Sequence, residues 1–110
     1  MIMIQQTILA LAEPRRRDIL TLVHEQELAS SSIAAHFDIT PSAVSQHLKV
    51  LHESGLVTVR RVGTKRYYRL RREGLVDIKA FIDGFWDDAL LRLKAAAEEE
   101  ERRRREDGRA

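Results

Sequence analysis

A mainly α-helical fold with one small β-hairpin is what this sequence predicts, and three observations carry the prediction. A Thr40-Pro41 pair opens a helix directly behind another short one. The apolar period then falls from about 3.6 residues to about two across residues 56–70. Helical spacing returns from about Arg72 and persists towards the end of the chain.

Taken in order, residues 2–12 carry Ile4, Ile8, Leu9 and Leu11 at a loosely helical spacing, and Pro14 stands where a second helix accepts proline in its first turn. That helix is expected from Pro14 to Glu25, burying Ile19, Leu20, Leu22 and Val23. Ser30 is expected to cap a short helix running through Ile33 to Phe37, in which Ala34 and Ala35 allow close helix contact. Asp38 and Ile39 make a tight connection. Thr40 caps the next helix, since its hydroxyl accepts from a free amide and Pro41 behind it forfeits no hydrogen bond. Gly55 is the matching stop. The runs Leu56–Val62 and Lys65–Leu70, joined through Gly63 and Thr64, read as a hairpin with cations near its tip. Beyond it, Leu75, Ile78, Ile82, Phe85, Ala89 and Leu93 form one stripe that Phe81, Trp86 and Leu90 widen. A helix over 74–105 would be roughly 48 Å long, more than a small domain covers, so its apolar face calls for another chain. Gly84 within it is expected to mark a bend or a close approach. The order amounts to a helix-turn-helix followed by a wing, with residues 1–97 as the domain and 98–110 as a charged helical extension and frayed tail.

At 110 residues the chain is one domain by length, and a domain of this size buries only about two-thirds of the surface its unfolded chain exposes. Cysteine is absent, which excludes a disulfide framework, thiolate metal ligands and a cysteine nucleophile and fits a reducing, cytoplasmic setting. The start, MIMIQQTILALAEPRRR, is short, has polar residues inside it and lacks a preceding basic region, so no signal peptide is read. No run is long enough to span a membrane. The net charge of +2 hides an uneven distribution. From Thr40 to Arg71 seven basic residues face one acid, Glu53, a net of +6, whereas nine basic residues and eleven acids follow from Arg72 to the end. Such a concentrated cationic segment is the electrostatic footprint expected of a protein that meets nucleic acid.

On a helix from Pro41 to Ser54, Val44, Leu48 and Leu51 recur at steps of four and three and form the buried side. The opposite side shows Ser42, Ala43, Ser45, Gln46 and Lys49. On most helices such a face is simply solvated. Here it coincides with the tight turn, the small-residue helix before it and the cationic segment, which points to double-stranded DNA. Helices of this kind read the major groove with their N-terminal residues, where short side chains allow close approach and a glutamine can pair with a base edge. Gln46 is the first candidate for base readout, with Ser42, Ala43 and Ser45 beside it. Thr40, Lys49, Arg60, Arg61, Lys65 and Arg66 are candidates for the DNA backbone, which positions a protein without reading sequence.

The segments ALAEPRRRDIL, SIAAHFDITPSAVSQHLKVLHESGLV and RRVGTKRYYRL together resemble the ArsR/SmtB family of winged helix-turn-helix transcriptional repressors, over roughly residues 5 to 95. Residues 42–57 are the most specific part of the likeness. The resemblance implies a homodimer, formed through the first and last helices, that binds an inverted-repeat operator. The dimer interface would then draw on Ile4, Ile8, Leu11, Ile78, Ile82, Phe85, Trp86, Ala89 and Leu93. Two departures stand out. Arg15 follows Pro14, and both metal-binding motifs familiar in the family are missing, since ELASSSIAAH has no cysteine and the last helix no histidine. His24, His36, His47 and His52 do not fall at metal-ligand spacing on one helix, so no metal or other cofactor is expected and any effector is unknown. His47 reads as a half-buried helix residue, and His52 as a favourable charge at the helix's carbonyl end.

Of the remaining features, Tyr67 and Tyr68 alternate faces, one for the core and one over the wing. Asp83, Asp87 and Asp88 read as a solvated helix face. Glu98–Glu101 stand four residues before Arg102–Arg105, four favourably oriented pairs. No convergent nucleophile, base and oxyanion donors and no phosphate loop are visible, so the chain is not read as an enzyme, and Ser30–Ser32 read as caps. The rival readings are a winged-helix module that binds protein instead of DNA, and a repressor with an organic effector at the dimer interface near Phe81, Phe85 and Trp86.

Overall fold

The computed structural model describes residues 2–108. Its elements are α1 (Ile2–Leu11), α2 (Pro14–Glu25), β1 (Leu28–Ala29), α3 (Ser30–Ala34), α4 (Pro41–Glu53), β2 (Val57–Val62), β3 (Lys65–Leu70) and α5 (Arg72–Asp107). The expected tail reaches residues 109 and 110, which lie outside the described residues. The strands form one antiparallel sheet in the order β1-β3-β2. β1 has no counterpart in the sequence reading: two residues, Leu28 and Ala29, pair with Tyr68 and Tyr67 of β3.

Each boundary has a local cause. At the first bend Glu13 caps α2 by accepting from the Arg15 amide at 3.2 Å, and Pro14 occupies the first turn. The guanidiniums of Arg16 and Arg17 turn back on α1, donating to the carbonyls of Ala10 at 2.7 Å and Leu11 at 2.6 Å. They satisfy acceptors that a helix end leaves open. The next helix departs from expectation, because α3 starts at Ser30 with Ala29 at its cap and no side-chain cap bond. Ser30 is therefore the first helical residue and not the cap, a consequence of Leu28 and Ala29 being drawn into the sheet. Residues 36 and 37 close the turn with tighter bonds to Ile33 and Ala34, which is why α3 ends short of Phe37.

The α4 boundaries follow the sequence closely. Thr40 Oγ1 accepts from the Ala43 amide at 3.1 Å. At the other end Gly55 takes a left-handed φ of 75°, its amide bonds the His52 carbonyl at 3.1 Å, and the Leu56 amide bonds Leu51 at 3.0 Å. This is a Schellman stop, accompanied by the burial of both Leu51 and Leu56. The hairpin register pairs Val62 with Lys65, leaving Gly63 and Thr64 as a two-residue loop with φ of 60° at Gly63 only, the pattern of a type II′ turn.

Two compact units divide between Ile78 and Lys79, earlier than the expected boundary at 97. The first holds the core: Ile19, Leu20 and Val23 of α2, Ile33 of α3, Val44, Leu48 and Leu51 of α4, and Leu56, Val57, Tyr68, Leu70 and Ile78. Leu22 is only partly buried against that cluster. Ile78, expected on a partner-facing stripe, belongs to the core at 6% exposure, because it closes the apolar cluster of its own unit. Gly74 is buried, and a Cβ there would run into the Gly55 carbonyl oxygen.

The second unit is helical through Asp107, and every described residue in it except Ala89 is exposed. A Cβ at Gly84 would meet nothing within 4 Å among the described residues. The terminal charges pair differently from expectation. Arg104 with Glu100 and Arg105 with Glu101 are four apart, whereas Arg102 with Glu99 and Arg103 with Glu100 are three apart, because Glu100 receives two arginines. Asp83 takes the Lys79 ammonium at 2.7 Å.

His47 is half-buried, as expected, and its Nδ1 lies 3.4 Å from Nη1 of Arg16. Burial and then the Arg16 charge hold its pKa below the usual histidine value. The unfolded chain therefore binds a proton that the folded chain resists. Stability rises with pH through the region below about 6.5 and falls as pH drops through it. His47→Gln should shrink the loss of denaturant midpoint between pH 7.5 and pH 5.5, and an unchanged loss would remove His47 as its source. Gly74→Ala should destabilise by about 1–3 kcal/mol in urea unfolding, despite alanine's higher helix propensity, because backbone must move.

Candidate nucleic-acid interface

The cationic segment folds into two structures that face each other, the exposed side of α4 and one face of the hairpin. Strand alternation decides which hairpin residues share that face. The cross-strand pairs Val57 with Leu70, Val59 with Tyr68 and Arg61 with Arg66 lie on one side; Thr58 with Arg69, Arg60 with Tyr67 and Val62 with Lys65 lie on the other. The first face packs its base on the core through Val57, Tyr68 and Leu70 and presents Arg61 and Arg66 towards the tip.

Between this face and α4 runs an open groove of about 460 Å³, lined by Ser45, Gln46, Lys49, Arg61 and Arg66 together with Ser30, His52, Val59 and Tyr68. Gln46 and Ser45 are exposed on its α4 wall. Lys49 shares the wall with only a loose contact to Glu53, at 3.9 Å between two exposed side chains. Arg61 and Arg66 stand directly opposite each other, and among the described residues no carboxylate pairs with either. Like charges opposed across a ladder repel, so an anion entering the groove would relieve them.

The structure thus brings together Ser45, Gln46, Lys49, Arg61 and Arg66, and leaves other candidates outside the groove. Ser42 is exposed and Ala43 half-buried in the first turn of α4. Thr40 spends its hydroxyl's acceptor side on the Ala43 amide, which leaves the hydroxyl hydrogen available to a phosphate. Arg60 and Lys65 project from the opposite hairpin face. Arg60 is forked by the Glu27 carboxylate, with contacts of 2.7, 3.1 and 3.2 Å, and lies 4.9 Å over the Tyr67 ring. The hydrogen bond to Glu27 raises the arginine's pKa and lowers that of the carboxylate.

Two lining residues escaped the sequence reading. Ser30, expected as a cap, makes no cap bond and lines the groove from the start of α3. His52 was read only for its place at the helix end, although it continues the face of Ser45 and Lys49 at seven-residue spacing. Among the described residues no three His, Asp or Glu side chains gather so as to hold a metal ion, and no helix is long and apolar enough to cross a membrane.

Residues 13–59, from the cap of α2 into β2, match the family described as bacterial regulatory protein, arsR family. The HTH-type transcriptional regulator Rv2034 of Mycobacterium tuberculosis (strain ATCC 25618 / H37Rv) is 41% identical over 81 residues, spanning 74% of this chain and 76% of that protein. A crystal structure of a possible transcriptional regulator for arsenical resistance shares 47% identity at a TM-score of 0.70, covering 82% of this chain and 94% of that one. The homodimeric winged helix-turn-helix DNA-binding domain of a possible ArsR-family regulator from Mycobacterium bovis is 32% identical at a TM-score of 0.62, over 78% and 80% of the two chains. Agreement in sequence and in fold, with the matched segment carrying the α4 wall of the groove, places this chain in the ArsR family of bacterial regulatory proteins.

Proposed function

We propose that this transcriptional regulator is a cytoplasmic repressor that binds an inverted-repeat operator as a homodimer, with α4 in the major groove and the hairpin against the backbone. The observation that carries the reading is the opposed pair Arg61 and Arg66, without carboxylate partners among the described residues, across a groove from Ser45, Gln46 and Lys49. A phosphate between the two arginines turns a repulsion into two charge-assisted bonds. It also fixes the height at which α4 enters the groove, where Gln46 can reach a base edge through its two-sided amide. Two-fold symmetry would present successive half-sites about 34 Å apart.

The apolar surface supports the dimer. On α1, Ile8 and Leu9 are 40% and 61% exposed; in the second unit, Ile82, Phe85, Trp86 and Leu93 lie between 43% and 66%. Surface of this kind on a small protein calls for a partner, and the homodimeric relative from M. bovis makes a second copy the natural one. Trp86→Asp should therefore shift sedimentation towards the monomer and weaken operator binding in parallel. A dimer of unchanged affinity would take Trp86 out of the interface.

Titrating the protein onto the DNA upstream of its own gene, at several salt concentrations and with footprinting, tests the main reading. Binding should weaken steeply with salt and protect two related half-sites. Gln46→Ala should erode discrimination between operator and altered sites by about 1–3 kcal/mol, whereas Arg66→Ala should weaken binding to all sequences alike. Binding that ignores both salt and sequence would instead favour a protein partner for the groove.

A further inference from the structure

Arg60 is the one wing arginine seen with an acidic partner among the described ion pairs, and the path by which it reaches that partner is unusual. Glu27 lies 33 residues away in sequence, immediately before β1, on the far edge of the sheet. Between the two edge strands runs β3, and its Tyr67 is the direct cross-strand neighbour of both Ala29 and Arg60. Arg60 therefore extends from β2 across the Tyr67 ring and closes on Glu27 with both Nε and Nη2. The clasp spans all three strands. It ties the wing to the strand that leads directly into α3, whose first residue Ser30 lines the groove.

We propose that Arg60 is a positioning residue of the DNA-binding surface and not a phosphate ligand, and that Glu27 withholds this cation from the DNA backbone. The Glu27 carboxylate takes the Nε–Nη2 edge of the guanidinium, and its negative charge neutralises the cation and repels a phosphate brought to the remaining N–H groups. The other asset of Arg60, its flat face, already covers Tyr67. Glu27 is held ionised by its bond to Arg60, with the Arg69 charge adding to the effect. The strand register gives a second reason: Arg60 emerges on the hairpin face opposite to Arg61 and Arg66, so it does not share their groove. Withholding it would lower affinity for DNA of any sequence alike and leave base readout, and with it the ratio of operator to bulk affinity, intact.

The inference rests on the groove being a DNA interface, and the salt dependence of binding separates the two claims. Each phosphate contact contributes about 3.5-fold to the loss of affinity between 50 and 200 mM salt. Arg66→Ala removes one contact from each protomer of the dimer and should reduce that loss by about 12-fold. Arg60→Ala should leave it as in the unaltered protein while weakening operator binding at both salt concentrations. Glu27→Gln should free Arg60 in both protomers, enlarging the salt-driven loss by about 12-fold and tightening binding to random-sequence DNA at 50 mM salt. The double change Glu27→Gln with Arg60→Ala should remove that gain. A reduction by Arg60→Ala equal to that by Arg66→Ala, or a Glu27→Gln protein with unaltered salt dependence, overturns the proposal. Circular dichroism establishes which variants are folded, and if Arg60→Ala is not, Glu27→Gln decides alone. Should the unaltered protein bind DNA without any salt dependence, the reading of the groove itself fails.

Discussion

The reversal of the chain at residues 54–56 is the constraint on which the arrangement of the first unit depends. Three consecutive carbonyls there hold two other parts of the structure, α1 and the segment that enters α5. Ser54 O accepts the Thr7 hydroxyl from α1 at 2.9 Å, Gly55 O accepts the Arg71 guanidinium at 3.2 Å, and Leu56 O accepts the Arg71 amide at 2.8 Å. Gly55 takes a left-handed φ at this stop, and the absence of a side chain at Gly74 lets the start of α5 lie against Gly55 and Leu56. One tight stop thus joins α1, α4, β2 and the first turns of α5. The amides of the same three residues are committed to closing α4, so little freedom is left in the junction.

From that junction the functional surface follows by periodicity. β2 leaves the stop with Val57 facing the core, and every second residue after it faces the same way. Arg61 is thereby sent to the groove and Arg60 to the outer face. Adjacent arginines of identical chemistry acquire opposite surroundings: one meets another arginine, the other meets a carboxylate and an aromatic ring. Charge counting treats them alike, and only the strand register tells them apart.

The elements legible in the sequence were those with local signals. Pro14, the Thr40-Pro41 pair, Gly55 and the Gly63-Thr64 loop each act over a few residues, and each boundary they announced is found. What was not legible depends on distant partners. β1 exists because β3 offers it an edge, and two residues carry no period of their own. Its pairing also displaced Ser30 from the cap position and brought Glu27 to the wing, two consequences that no window around residue 30 contains. His52 was within reach, since its spacing from Ser45 and Lys49 continues one helical face, but its place at the helix end offered a sufficient local explanation. Ile78 kept the period of the apolar stripe while belonging to a different body, because a stripe does not say where one core ends.

The bond from Thr7 to Ser54 has a mechanical consequence. It fastens α1, a helix with exposed apolar residues, to the C-terminal end of the helix that carries Gln46. In an assembly that packs through α1, the distance between two copies of α4 is then measured from that hydroxyl. Were such an assembly to read two half-sites, the number of base pairs between them would be set as much by the first helix as by α4. A family that varies α1 while keeping α4 could thus change its spacer and preserve its alphabet.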